Sequence, residues 1–258
     1  MKSRDQGPRP PPPVADTIAP VINPLQQGMF LFHAAAPDYA RAVGWFRAAA
    51  EANDGDGLAM LGLCQLEGLG MPADPVQART LLERAAARGS AIGRFQFGRV
   101  LMTGRGGPAD ESRGLSAYIA AASMGHAEAS FNLANCLYAG VGCLPDRLAA
   151  KALYLRSRTL GCPLRPQGVL VHKRELRAVR TLALRFADPN RLIFLIQERQ
   201  QELALVQAIS QPKPRPAASP VKPQAWRYAT SVMAAMAGTL GGYLRPPSRD
   251  AGPTELPF

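Results

Sequence analysis

The chain has 258 residues, 47% of them hydrophobic, with 30 Lys/Arg against 19 Asp/Glu and a formal net charge of +11 at pH 7. That hydrophobic share supports a buried core and excludes a wholly disordered chain. β-branched residues are sparse and no alternating stretch of useful length occurs, which excludes a sheet-based fold and predicts an all-α one.

Residues 1–24 are polar and proline-rich, with a run from Pro10 to Pro13. They contain no apolar core of the roughly 7–15 residues that a secretion signal needs. The segment reads as a disordered or polyproline-like tail, and the expected location is cytoplasmic. Residues Leu25 to Phe32 and Asp38 to Asn53 then read as two helices of a degenerate first unit, the latter carrying Ala42, Trp45, Phe46, Ala49 and Ala50.

From there the sequence is periodic. Gly68-Leu-Gly70, Gly104-Arg-Gly106 and Gly140-Val-Gly142 are spaced 36 residues apart, as are Asp74, Asp110 and Asp146, and Gly89, Gly125 and Gly161. A fixed period of this length marks stacked supersecondary units. An apolar-periodic helix precedes each Gly-x-Gly, and the first glycine suits the left-handed residue that ends it. Asp74, Asp110 and Asp146 are placed to cap the following helix, and Pro75 and Gln77 complete an N1-proline and capping-box signature. Paired alanines (Ala85-Ala86, Ala121-Ala122) let two helix backbones approach, and Gly89 and Gly125 stop the second helix.

This pattern resembles the Sel-1-like repeat, a relative of the tetratricopeptide repeat. Leu61-Gly62, Gly68, Gly70, Asp74, Ala78, Leu81-Leu82, Ala85-Ala86 and Gly89 fall on its motif. Phe97-Gly98, Gly104, Gly106, Asp110, Ala117-Tyr118, Ala121-Ala122 and Gly125 do so again, with Gly114 where alanine is usual. The third unit keeps Ala129, Leu133-Ala134, Gly140, Gly142, Asp146, Ala150, Leu153-Tyr154 and Gly161, and departs at Ser157-Arg158. The resemblance implies an α/α solenoid of stacked helix-turn-helix units over residues 25–162, one degenerate and three full. It also implies an adaptor or scaffold role in complex assembly or signalling, often at membranes.

The expected partner is a protein, held in the concave groove of the array. The first helix of each unit lines the concave face in such stacks. The stripe beside the core pattern reads Met60, Leu63 and Glu67, then Gln96, Arg99 and Thr103, then Asn132, Asn135 and Ala139. Its chemistry varies while the framework stays fixed, which suits either a groove for an extended peptide or a solvated helix face. On the groove reading, replacing Arg99 and Asn135 leaves stability unchanged.

Catalytic and metal constellations are not found. His33, His126 and His172 are isolated, and His126-Ala-Glu128 lacks the later Pro-Cys-x-x-Cys of a zinc deaminase, so a cap or solvent-facing role is expected. Neither a Gly-x-Ser-x-Gly elbow nor a phosphate loop occurs. No catalytic residue, cofactor, metal or small-molecule substrate is expected. Cys64 and Cys136 share one helix position with Val100 between them, predicting buried thiols, whereas Cys143 and Cys162 fall in turns where exposure is open. The cysteine-rich branch of the resembled family includes secreted hydrolases acting on β-lactam or cell-wall material. That alternative needs a cysteine pair in every unit.

Residues 147–191 hold 11 Lys/Arg against 2 acids and so supply +9 of the net charge. Within 163–210, helices over His172–Ala187 and after Asp188-Pro189 are expected to cap the array, the first burying Leu176, Val179, Ala183 and Phe186. Lys173, Arg174, Arg177 and Arg180 form a basic surface for an acidic protein or anionic membrane. Nucleic-acid binding is a further alternative, disfavoured because stacking aromatics are missing. Residues 211–224 form a proline-rich linker. Residues 225–244 include an uncharged run from Tyr228 to Leu244, short for the about 20 residues of a membrane span. Ala234, Gly238 and Gly242 lie at small-xxx-small spacing, and Lys213, Arg215, Lys222 and Arg227 precede the run. It reads as an anchor at the inner face of a membrane or as an amphipathic docking helix, followed by a tail over 245–258.

Overall fold

The computed structural model describes residues 23–210. The proline-rich N-terminal segment, the linker, the candidate span at 225–244 and the tail lie outside the described residues. Within them the chain is all-helical: α1 (Pro24–Phe32), α2 (Tyr39–Glu51), α3 (Gly55–Glu67), α4 (Pro75–Ala87), α5 (Ala91–Thr103), α6 (Glu111–Ser123), α7 (Ala127–Ala139), α8 (Arg147–Thr159), α9 (Lys173–Phe186) and α10 (Pro189–Ser210). Successive helices from α1 to α9 pack antiparallel against their neighbours in chain order, and α3 also touches α5. The result is a solenoid.

Local chemistry sets each boundary. Asp38, Asp74, Asp110 and Asp146 cap the second helices, each side chain accepting from a free backbone N–H of the first turn. Asp54, Ser90 and His126 do the same for α3, α5 and α7. These first-helix caps share the 36-residue spacing. The predicted capping box at Asp74 is half realised. Asp74 accepts from Val76 and Gln77, but the Gln77 side chain accepts from Gln65 of the preceding helix instead of reaching back.

The two glycines of each Gly-x-Gly have different tasks. Gly68, Gly104 and Gly140 end the first helices in the left-handed region, as expected. Gly70, Gly106 and Gly142 also have positive φ, and each presses on the first turn of the second helix one unit earlier. A Cβ on Gly106 would lie 2.0 Å from the Pro75 carbonyl oxygen. This glycine is the seam between units.

Packing follows small-against-large pairs. Gly62 receives Leu82 and Gly98 receives Tyr118, since a Cβ at either glycine would fall within 3.0 Å of the partner side chain. Gly57 and Gly93 sit against Ala49 and Ala85 so closely that a Cβ would meet the partner backbone. Ser157, where the third unit departs from its pattern, is fully buried, and its hydroxyl donates to the Tyr154 carbonyl at 2.8 Å.

The C-terminal helices share the core of the last unit. Val179, Leu182, Ala183 and Phe186 of α9 and Leu192, Leu195 and Ile196 of α10 join one cluster with Leu133, Leu137 and Leu153. On α9 Leu182 takes the central buried place and Leu176 is only half-buried, because α9 is rotated slightly from the expected stripe. Arg199 of α10 grips the Asp146 cap with two bonds of 2.6 and 2.9 Å. Gln200 pairs both the N–H and the carbonyl of Leu144, at 2.9 and 3.0 Å. These polar clasps close the open end of the array.

Candidate partner-binding site

The first helices α3, α5 and α7 are apolar almost all round, because each is enclosed by its own second helix and by its neighbours. The variable stripe therefore sits deeper than an open concave face would place it. Met60, Leu63, Gln96 and Asn132 are buried, and Arg99 is 6% exposed. Glu67, Asn135 and Ala139 are half-buried, and Thr103 is exposed. Met60 and Leu63 pack with Phe32, Phe46 and Leu58 in the core of the first units.

The structure brings Glu67, Gln96 and Arg99 together. Arg99 Nη1 donates to Gln96 Oε1 at 2.6 Å, and Arg99 Nη2 lies 3.9 Å from Glu67 Oε1. Arg105, in the x position of Gly104-Arg-Gly106, completes the group, donating to Glu67 at 2.6 Å and to the Leu66 carbonyl at 2.8 Å. Thr103 Oγ1 turns back onto the Arg99 carbonyl. Asn135 stands apart and accepts from the Tyr154 hydroxyl at 2.6 Å. Arg99 thus reaches from α5 to α3 of the preceding unit, and Asn135 joins α7 to α8 within one unit. The expectation that their replacement leaves stability unchanged is corrected: the residues are tied into inter-helix bonds, and removing them leaves partners unmet.

One side chain in the stripe stays unsatisfied. Asn132 is 1% exposed, and among the described residues neither its Nδ2 nor its Oδ1 makes a hydrogen bond of normal geometry. The buried Tyr118 hydroxyl lies against it, outside normal hydrogen-bond geometry; burial raises the Tyr118 pKa, with nearby Cys136 adding and Arg99 and the Asn132 side chain opposing. Buried polar atoms without good partners cost about 1–3 kcal/mol each.

The remaining candidates resolve plainly. His126 is the α7 cap: its Nδ1 accepts from Ala129 at 3.2 Å and its ring stacks on Phe95 at 4.4 Å between centroids. It is a cap but not solvent-facing, and burial lowers its pKa to about 4. All four cysteines are free thiols. Cys64 and Cys136 are buried, and desolvation pushes Cys64 up to about 12. Cys162 is buried too, although it follows a turn, and half-buried Cys143 is pushed up to about 11. Among the described residues no cluster of three or more His, Cys, Asp or Glu is placed to hold a metal ion. Lys173, Arg174, Arg177 and Arg180 are exposed on the outer face of α9. No helix among the described residues is long and apolar enough to cross a membrane.

Arg156 escaped the sequence reading. It is 4% exposed and donates from Nη1 to the Ala122 carbonyl at 2.8 Å and to Ser130 Oγ at 2.7 Å, binding α8 to α6 and α7. Burial lowers its pKa.

The repeat and the fold have counterparts among known proteins. The Sel1 repeat matches residues 26–54, 55–90, 93–126 and 127–162. A Sel1 repeat protein from Oxalobacter formigenes is similar in structure, with a TM-score of 0.51 and 24% identity over 62% of this chain and 69% of that one. The protective antigen c5321 of uropathogenic Escherichia coli, described as displaying an SLR fold, gives a TM-score of 0.40 and 17% identity over 77% of this chain and 50% of its own. No curated protein matches. With repeats covering more than half its length, the chain belongs to the Sel1 repeat family, whose members serve in general as protein-interaction scaffolds.

Proposed function

We propose that this chain is a non-catalytic scaffold that takes an extended segment of a partner protein against the first-helix face of its array, centred on Asn132. The observation that carries the reading is the Asn132 carboxamide, buried beside the Tyr118 hydroxyl with neither of its polar atoms in a hydrogen bond of normal geometry. One carboxamide complements one peptide unit, giving a bond to its carbonyl and taking one from its N–H. The molecule already contains this pairing, since Gln200 engages both the N–H and the carbonyl of Leu144. Asn132 lies in α7 beside Tyr118 of α6, at the join of the second and third full units, and the Gln96–Arg99–Glu67 group continues the polar line along α5 and α3. A partner chain entering there displaces the close packing of the first helices, so its binding is coupled to a small opening between units.

The test is selection of peptides from a displayed library on the full-length chain, followed by affinity measurement on Asn132→Leu. Leucine keeps the number and branching of the side-chain heavy atoms, with somewhat bulkier methyl groups, and removes both polar atoms. Selected peptides bind the native chain and lose roughly tenfold with the variant, about one hydrogen-bond pair in an enclosed setting. Peptides that bind both proteins equally refute the role of Asn132.

A further inference from the structure

Outside the repeats, α9 is strongly two-faced. Val179, Leu182 and Phe186 are buried, while Arg174, Arg177, Arg180 and Arg185 are exposed. Where it meets α8 and α10 there is a cleft of about 500 Å³ with an apolar floor of Leu148 and Leu182. Its walls carry Arg174, Arg177, Arg185 and Arg199, and no acidic side chain lines it. The acids nearest in the fold are committed elsewhere. Asp146 is held by Arg199 through two bonds, and Glu175 is held by Lys151 at 2.6 Å. Glu202, one turn from Arg199, adds to the field that favours that charged guanidinium.

We propose that this cleft is a second docking site, for an acidic peptide segment of a partner protein that alternates carboxylate and aliphatic side chains. Guanidinium groups present planar forks that match carboxylates two bonds at a time, and Arg174, Arg177 and Arg185, gathered in one cleft beside the already paired Arg199, favour a ligand bringing several. The floor accepts a leucine- or valine-sized side chain between those contacts, which a purely ionic ligand leaves unused. No aromatic residue lines the cleft, so a nucleic-acid strand finds no surface on which to stack its bases. The Arg199–Asp146 clasp fixes one wall to the last repeat, so the site is preorganised and independent of any opening of the array.

The test uses the full-length chain and a fluorescent peptide of alternating Glu and Leu, read by polarisation. The variant is Arg174→Gln with Arg177→Gln and Arg185→Gln. The control is Arg47→Gln with Arg84→Gln and Arg88→Gln, which removes the same charge from exposed positions on α2, on α4 and at its C-cap. All six positions are exposed, so both variants melt as the native chain does. The expected result is roughly tenfold weaker binding for the cleft variant and little change for the control, with affinity falling as salt rises. Asn132→Leu leaves this binding intact, which separates this site from the first-helix face. Equal losses in the cleft variant and the control overturn the proposal, as does failure of the native chain to bind the peptide. So does tighter, arginine-dependent capture of a single-stranded oligonucleotide or of phosphatidylglycerol vesicles.

Discussion

Replacing Gly106 with alanine separates the two costs that hold this array in register. Gly106 has φ +74° and would place a Cβ 2.0 Å from the Pro75 carbonyl oxygen and 2.6 Å from its carbon. Gly89 has a similar φ of +81° but nothing within 4 Å of the added atom. Gly89→Ala therefore reports the left-handed strain alone, about 1 kcal/mol. Gly106→Ala adds the displacement of backbone at the start of α4, which overpacking costs place at about 1–3 kcal/mol more. For a described body of this size 1 kcal/mol moves Tm by about 2–4 °C, so Gly89→Ala lowers it by about 3 °C and Gly106→Ala by about 10 °C. The assay is thermal melting by circular dichroism at 222 nm, the usual helix signal, with denaturant midpoints as a second measure. Equal melting of the two variants refutes the seam, because only the contact with the preceding unit distinguishes them.

Other consequences are as direct. Arg156→Met keeps the aliphatic stem but removes both bonds that tie α8 to α6 and α7, while the Ala122 carbonyl keeps its bond from Gly125 and the Ser130 hydroxyl its bond to His126, so denaturant titration should show a loss of about 1–2 kcal/mol. His126, with its pKa lowered from 6.5 to about 4, takes a proton more readily in the unfolded chain. Its contribution is complete above about pH 6.5 and is lost as pH falls toward 4, by up to about 3 kcal/mol, less whatever Glu128 at 3.7 Å returns to the protonated ring. His126→Ser keeps the cap as Ser90 does and flattens that part of the stability–pH curve; superimposable curves contradict it. Carbonate extraction of the full-length chain beside a truncation ending at Gln211 tests the anchor reading of 225–244, which predicts that only the longer chain stays with membranes.

The frame of the molecule was legible because glycine and aspartate are needed at fixed points of every unit. Gly104 must be left-handed and Asp110 must accept from the first turn of α6, so the letters repeat with the geometry. The first-helix caps repeat just as strictly, yet Asp54, Ser90 and His126 hid the period, since three different side chains meet the same need for an acceptor. Arg156 read as surface charge because a sequence does not show that two buried acceptors converge on its guanidinium. The depth of the stripe was equally hidden. Whether Gln96 and Asn132 face solvent or a neighbouring unit depends on how tightly successive pairs stack, and that is set by contacts between units, such as Gly57 on Ala49 and Gly106 on Pro75, whose closeness the residue letters do not show.

The central claim is that a partner segment lies along the first helices at Asn132. Hydrogen–deuterium exchange of the full-length chain, with and without a library-selected peptide, tests it most directly. The account predicts peptide-dependent protection in α5 and α7, near Gln96 and Asn132, and its loss in Asn132→Leu. Protection confined to the outer faces of α4, α6 and α8, or unchanged by that substitution, contradicts it.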